Sequence, residues 1–148
     1  MALAPSMFRS SSYKLTAVST SSEASAAASA KKQSDALGYP VKPYHGSTSN
    51  VASDPDVELV VVSVQAPGHQ AAILPAIEAG KDVFVEWPGG VGLKGASTIA
   101  EAARKKGVKT MIGLQGRQAP FVKKVIPCFF CMRYKSYIYT RGKGQRDY

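Results

Sequence analysis

A chain of 148 residues, 45% hydrophobic and 20% charged, has material for one core and is too apolar to be disordered throughout. It holds no apolar run near the roughly 20 residues that span a bilayer, and two cysteines cannot make a disulfide-dense scaffold. The net charge of +9 invites a nucleic-acid reading, but Arg133, Lys135, Arg141, Lys143 and Arg146 against Asp147 put +4 of it in the last 21 residues.

The first 22 residues hold Arg9, Lys14 and many serines with no acid before Glu23, a composition loosely like a mitochondrial presequence. The alternation over 14–19 argues instead for a strand of the fold, because it runs straight into a helical pattern. Thr20-Ser21-Ser22-Glu23 has the form of a capping box, with Thr20 as the cap. An alanine-rich helix is predicted from there to about Leu37, stopped by Gly38 and Pro40. Residues 41–45 are a short strand candidate, and Asp54-Pro55-Asp56 is a turn. The run over 57–64 is almost continuously apolar and β-branched, which suits a strand buried on both faces of a parallel sheet.

A helix over 69–79 places Ala72, Ile73, Ala76 and Ile77 on one face and stops at Gly80. Residues 82–86 form the next strand. The following helix, over about 93–106, is predicted to turn Leu93, Ala96, Ala100 and Ala103 inward. Arg104, Lys105 and Lys106 suit the negative end of its dipole, and Gly107 terminates it. Residues 109–114 are the last strand of the series.

Strand–helix alternation with short links implies right-handed crossovers and a doubly wound α/β domain with a parallel sheet. Past Pro127 this pattern stops: six of the thirteen aromatic residues fall in the last 21, with no sustained period. Residues 1–126 are therefore read as one domain and 127–148 as a basic aromatic tail outside the fold. Cys128 and Cys131 form C-x-x-C, but with no second pair and no helix after a strand they are read as an incidental pair.

Ligands of doubly wound sheets bind beyond the carboxyl ends of the strands. Here those ends carry residues 19–22, 65–69, 86–88 and 115–117. The stretches VVVSVQAPGHQAAILPAIEAGKDVFVEWP and KKGVKTMIGLQGRQAPFVKKV resemble the nucleotide-binding half of the Gfo/Idh/MocA oxidoreductases. Within that family SVxxPxH, VEW and LQGRxxP are most similar to the galactose-pathway transcriptional repressors of yeasts and related fungal proteins. The resemblance spans about 13–125. It implies a Rossmann fold that binds NAD or NADP, with Ser19, Thr20, Ser63, Val64, Gln65, His69, Glu86, Trp87, Pro88, Gln115 and Arg117 as cofactor-binding candidates.

The fold's G-x-G-x-x-G loop, whose amides meet the pyrophosphate, should lie between the first strand and first helix. The chain is read as holding no such motif anywhere, and no glycine occurs between the strand at 14–19 and its helix. Gly89-Gly90-Val91-Gly92 follows the EWP strand and is read as a loop of another unit. Residues 1–8 look like the end of the family's first helix. The expectation is thus an incomplete Rossmann sheet lacking its first strand and its phosphate loop, a fragment of a longer coding sequence. In the order 3-2-1-4-5-6 that strand is central, so its neighbours must either close up or keep unpaired edges. Each buried orphan group would cost on the order of 1–3 kcal/mol.

Several candidates have two readings. Ser19 and Thr20 stand where an acid usually binds the adenosine ribose, so they imply a looser preference that tolerates a 2′-phosphate, or plain capping by Thr20. His69 opens a helix with no visible catalytic partner and reads as structural or as a minor contact of the cofactor pocket. His45 shows no motif. Trp87 stands where active dehydrogenases of the family carry the Lys of Glu-Lys-Pro; it either packs at the strand end or stacks on the nicotinamide side. Indole has an N–H but no proton-transfer chemistry near neutral pH. Pro88 resembles a family position that enters its turn as a cis peptide. Arg117 could hold a phosphate or carboxylate, or be an ordinary surface residue.

Three functions follow. One is the NAD(P)-binding domain of an oxidoreductase, inactive without a substrate domain and with no catalytic or metal-binding residue assigned. Another is a cofactor-sensing regulator whose partner is a transcriptional activator, the reading Trp87 favours. The third, a nucleic-acid binder, rests on the tail and is set aside. A cytoplasmic or nuclear location, with no membrane association, is expected.

Overall fold

Strand and helix alternate through residues 17–113 much as the apolar periodicity requires. The computed structural model describes residues 13–114, 116, 119, 120 and 122–124. The chain divides into two units, Met1–Gly113 and Leu114–Tyr148. The elements of the first are β1 (Ala17–Thr20), α1 (Glu23–Leu37), β2 (Lys42–His45), α2 (Thr48–Ala52), β3 (Leu59–Val62), a 3-10 turn (Ala66–Gly68), α3 (His69–Glu78), β4 (Asp82–Glu86), α4 (Gly92–Lys106) and β5 (Thr110–Gly113). The boundary expected at 126/127, and the tail with Cys128 and Cys131, lie outside the described residues.

All strand pairs are parallel, but they form two sheets. β1 pairs with β2, with Ala17 opposite Lys42 and Thr20 opposite His45. The second sheet has the order β3-β4-β5, with Val62 opposite Val85 and Glu86 opposite Gly113. Among the described residues β1 and β3 each have one strand neighbour only. The two sheets are the flanks of a Rossmann sheet on either side of its central strand position.

The core lies on one face of the second sheet. Val60, Val62, Val83 and Val85 alternate toward Ile73, Ala76 and Ile77 of α3 and Ile99 and Ala103 of α4, and Val51, Ala52 and Val57 extend the same cluster. Val61 points the other way and is 41% exposed. The expectation that this strand is buried on both faces is therefore corrected: its burial alternates, because α3 and α4 cover one face only. α1 buries just Ala26 and Ala30, one helical turn apart.

The helix ends follow the sequence closely. Gly38 and Gly107 adopt φ 75° and 70°, the left-handed C-cap that a Cβ disfavours, and Gly38 N donates to Ser34 O. The N-terminus of α1 differs from expectation. Ser22, not Thr20, is the cap, its Oγ accepting from Ser25 N at 3.3 Å. Thr20 Oγ1 donates to Ser22 O in the turn before the helix. The short α2, capped by Ser47, has too few apolar residues for a periodicity to announce it.

The predicted inner face of α4 is also corrected. Gly95, Ile99 and Ala103 are buried, whereas Leu93 is 84% exposed and Ala96 and Ala100 face solvent. Gly90 decides this. A Cβ on Gly90 would stand 2.8 Å from Ala96 N and 3.0 Å from Gly95 C, so the loop before α4 lies directly on the helix's first turn. That contact orients the Gly95 row inward.

Candidate functional site

The carboxyl ends of β3, β4 and β5 leave the second sheet along one edge, since the strands are parallel and in register. Ser63, Val64 and Gln65 follow β3 and are all exposed. Glu86 ends β4, half-buried, and Trp87 next to it is 67% exposed. The Trp87–Pro88 peptide bond is cis, as the resemblance implied. Ser19 and Thr20 close β1 in the other sheet, where Thr20, Ser22 and Ser25 join their hydroxyls in one hydrogen-bonded group. Gln115 and Arg117 lie outside the described residues.

His69 ties three of these candidates together. Its ring is 1% exposed, at the first residue of α3. Nδ1 lies 2.7 Å from the carbonyl oxygen of Pro88, and Nε2 lies 2.8 Å from that of Val64. One side chain thus fastens the end of β3 to the turn after β4. Both nitrogens are engaged and buried, so the imidazole is not presented to a substrate for acid–base work. Exposed groups at this edge are hydroxyl, amide and indole, which bind and orient but exchange no proton near neutral pH.

The expectation that the chain holds no G-x-G-x-x-G spacing is corrected, because the glycines run on past the cluster at 89–92. Gly90, Gly92 and Gly95 complete a G-x-G-x-x-G spacing that follows β4 and opens α4. Its glycines are accounted for by the chain's own backbone. Gly90 and Gly95 allow the loop to lie on the helix, and Gly92 has φ 64°. A Cβ on Gly90 would strike protein backbone, not an open cradle, so these residues do not supply the pyrophosphate seat.

A second polar cluster escaped the sequence reading, which saw in Asp54-Pro55-Asp56 only a turn. Lys42 Nζ donates to Asp54 Oδ2 at 2.8 Å and to Asp56 Oδ2 at 2.8 Å. Tyr44 Oη and Asp56 N also donate to the Asp54 carboxylate, at 2.9 Å each. Lys81 Nζ donates to Asp54 O at 3.0 Å. The Lys42 ammonium, followed by the Asp56 amide, holds the Asp54 carboxyl down at about 2, and Asp54 in turn raises the Lys42 ammonium and the Tyr44 phenol. Lys42 opens β2, so the cluster sits at the amino ends of the strands, away from the carboxyl edge. It joins β2 to the turn before β3, and its role is structural.

Comparison with known proteins fits this geometry. The chain matches the oxidoreductase family with the NAD-binding Rossmann fold over residues 2–114. It is 47% identical over 113 residues to the dehydrogenase aclE of Aspergillus oryzae, covering 76% of this chain and 30% of that protein. It is 31% identical over 97 residues to the galactose/lactose metabolism regulatory protein GAL80 of Saccharomyces cerevisiae, covering 62% of this chain and 21% of that one. Among solved structures, the 3-ketoreductase KijD10 of Actinomadura kijaniata, in complex with TDP-benzene and NADP, superposes with a TM-score of 0.71 at 23% identity, over 84% of this chain and 37% of its own. At that identity the likeness concerns the fold. The chain spans less than a third of the length of these two curated relatives. The parallel order of the strands, the edge at which Val64, His69 and Pro88 meet, and the match over 2–114 together place this chain in the Gfo/Idh/MocA oxidoreductase family, with its NAD-binding Rossmann fold.

Proposed function

We propose that this chain is the dinucleotide-binding part of an NAD(P)-dependent oxidoreductase and that by itself it turns over no substrate. The observation that carries the reading is the carboxyl edge of β3–β5, where Ser63, Gln65 and Trp87 stand exposed around the His69 fastening. Val64, Glu86 and Pro88 line the same edge, and Gln115 and Arg117 follow its last strand in the sequence. The 47% identity to a dehydrogenase supports the oxidoreductase class. Support for inactivity comes from Trp87: an indole in place of an ammonium can cover a ring but cannot hand over a proton.

The hydroxyls of Ser19, Thr20, Ser22 and Ser25 at the end of β1 carry no charge to repel a 2′-phosphate. Similar affinity for NAD and NADP is therefore expected. Calorimetric titration of the full chain with each nucleotide tests the reading. Binding at about millimolar or tighter, near −4 kcal/mol, supports it. No heat with either nucleotide at millimolar concentration refutes it.

The exposed Trp87 also favours a second reading, a cofactor-sensing regulator, which the likeness to a galactose regulatory protein supports. A protein that binds NAD(P) and gains affinity for a protein partner, without cofactor reduction in the presence of sugars, would be of that kind.

A further inference from the structure

Successive residues of a strand turn their N–H and C=O groups to opposite sides, toward one neighbouring strand and then the other. Lys42 N donates to Thr16 O and Gly46 N to Thr20 O, so Ala17 and Ser19 turn their backbone groups away from β2. Asp82 N donates to Glu58 O in the same way, so Leu59 and Val61 turn theirs away from β4. Among the described residues no strand lies opposite any of these four. Yet β1 and β3 share a core: Ala17 packs against the cluster that holds Val60, Val62 and, from α2, Val51 and Ala52. The two open edges are thus the walls of one slot, at the central strand position of the sheet.

We propose that this slot is a binding site for an extended, uncharged segment of another polypeptide, which enters as a strand between β1 and β3 and pairs with both. Strand edges that stay unpaired are usually guarded by lysine or proline. The outer edge of β2 is of that kind, since Pro43 turns away from β1 and has no N–H to offer. Ala17, Ser19, Leu59 and Val61 include no such guard. They carry no charge either, so a charge brought between them would be buried without a counter-ion. A strand with neighbours on both sides, lying on this apolar core, is best built from β-branched residues. Residues 1–12 hold no Val, Ile or Thr, so the segment before β1 does not have that composition. Ser19 and Val61, one on each wall, are exposed and open to such a partner. The outer edge of β5, at Thr110 and Ile112, offers one row of backbone groups, whereas the slot offers two.

The probe is a synthetic peptide of about five valine and alanine residues, the usual length of a strand, with a lysine beyond each end for solubility. Amide exchange of the full chain, without nucleotide, is followed by NMR as the peptide is added. At about ten times the peptide's Kd, exchange at Ala17, Ser19, Leu59 and Val61 should slow together, about tenfold. Ile112, on the outer edge of β5, should keep its rate. The same peptide with a central proline, which lacks a ladder donor, should slow none of them at that concentration. Slowing on one wall only, equal slowing at Ile112, equal slowing by the proline peptide, or no slowing at millimolar peptide would each overturn the proposal. So would protection of the four amides in the free chain equal to that of Val60 and Val62. If independent of chain concentration, it would mean that the chain fills its own slot; if rising with concentration, that a second copy does. Because no nucleotide is present, the outcome does not depend on the dinucleotide reading.

Discussion

Asp54 shows how much one side chain can organise without belonging to the site. Its carboxylate is buried, yet it accepts from Lys42, Tyr44 and the Asp56 amide, so its charge is met on every side. A carboxyl held at about 2, below its ordinary 3.8, stabilises the folded state above about pH 4 and loses that contribution as pH falls through about 2. The Lys42 ammonium, raised above its ordinary range, contributes below that range and loses its contribution only in strong alkali. Urea unfolding at pH 7 and near pH 2 should therefore show a clear loss for the wild-type chain. Asp54→Asn should unfold at lower urea at pH 7 and lose less on acidification; equal midpoints for the two proteins at pH 7 would count against the network. None of this was legible in the turn residues, because Lys42 and Asp54 are twelve positions apart and meet only when β2 returns beside the turn before β3. His69 is the same lesson at the site. Its place at a helix start was readable, but its two carbonyl partners, in the links that follow two different strands, were not.

At the scale of elements, the sequence placed most helices and strands because their ends carry strong local signals. Gly38 and Gly107 take the left-handed conformation where the alanine-rich and lysine-ended helices stop. The inner face of α4 was misread because alanine is nearly neutral as a marker of burial: Ala96, Ala100 and Ala103 look alike in sequence, and only Ala103 is covered. What selects the face is the contact of Gly90 with the backbone at Gly95 and Ala96. Gly90→Ala would force that contact apart, with an expected cost of about 1–3 kcal/mol in denaturant unfolding, the usual range for overpacking. Gly46→Ala gives the backbone cost alone, since Gly46 has positive φ and open space around its Cβ position; Gly90 has no such φ, so its cost reports the contact.

On the scale of the whole molecule, the two sheets differ in how their backbones are paired. β4 has a strand on both sides, whereas β1 and β3 each present one unpaired edge among the described residues. Amide exchange should accordingly be slowest at Val83 and Val85, in the buried centre of the second sheet, and markedly faster along β1. Equal protection of β1 and β4 would mean that β1 has found a second neighbour. The same edges explain the division between local and global information. Residue types determined by themselves the alternation of strand and helix, the glycine stops, the parallel class of fold and the family, since each is set by contacts within a turn or by short motifs. Tertiary structure alone decided that, among the described residues, the strands form two sheets and one face of β3 is left open, that Gly90 lies on α4, and that His69 joins Val64 to Pro88. Those features depend on groups far apart in sequence coming within hydrogen-bond or van der Waals distance, and no local pattern encodes that distance.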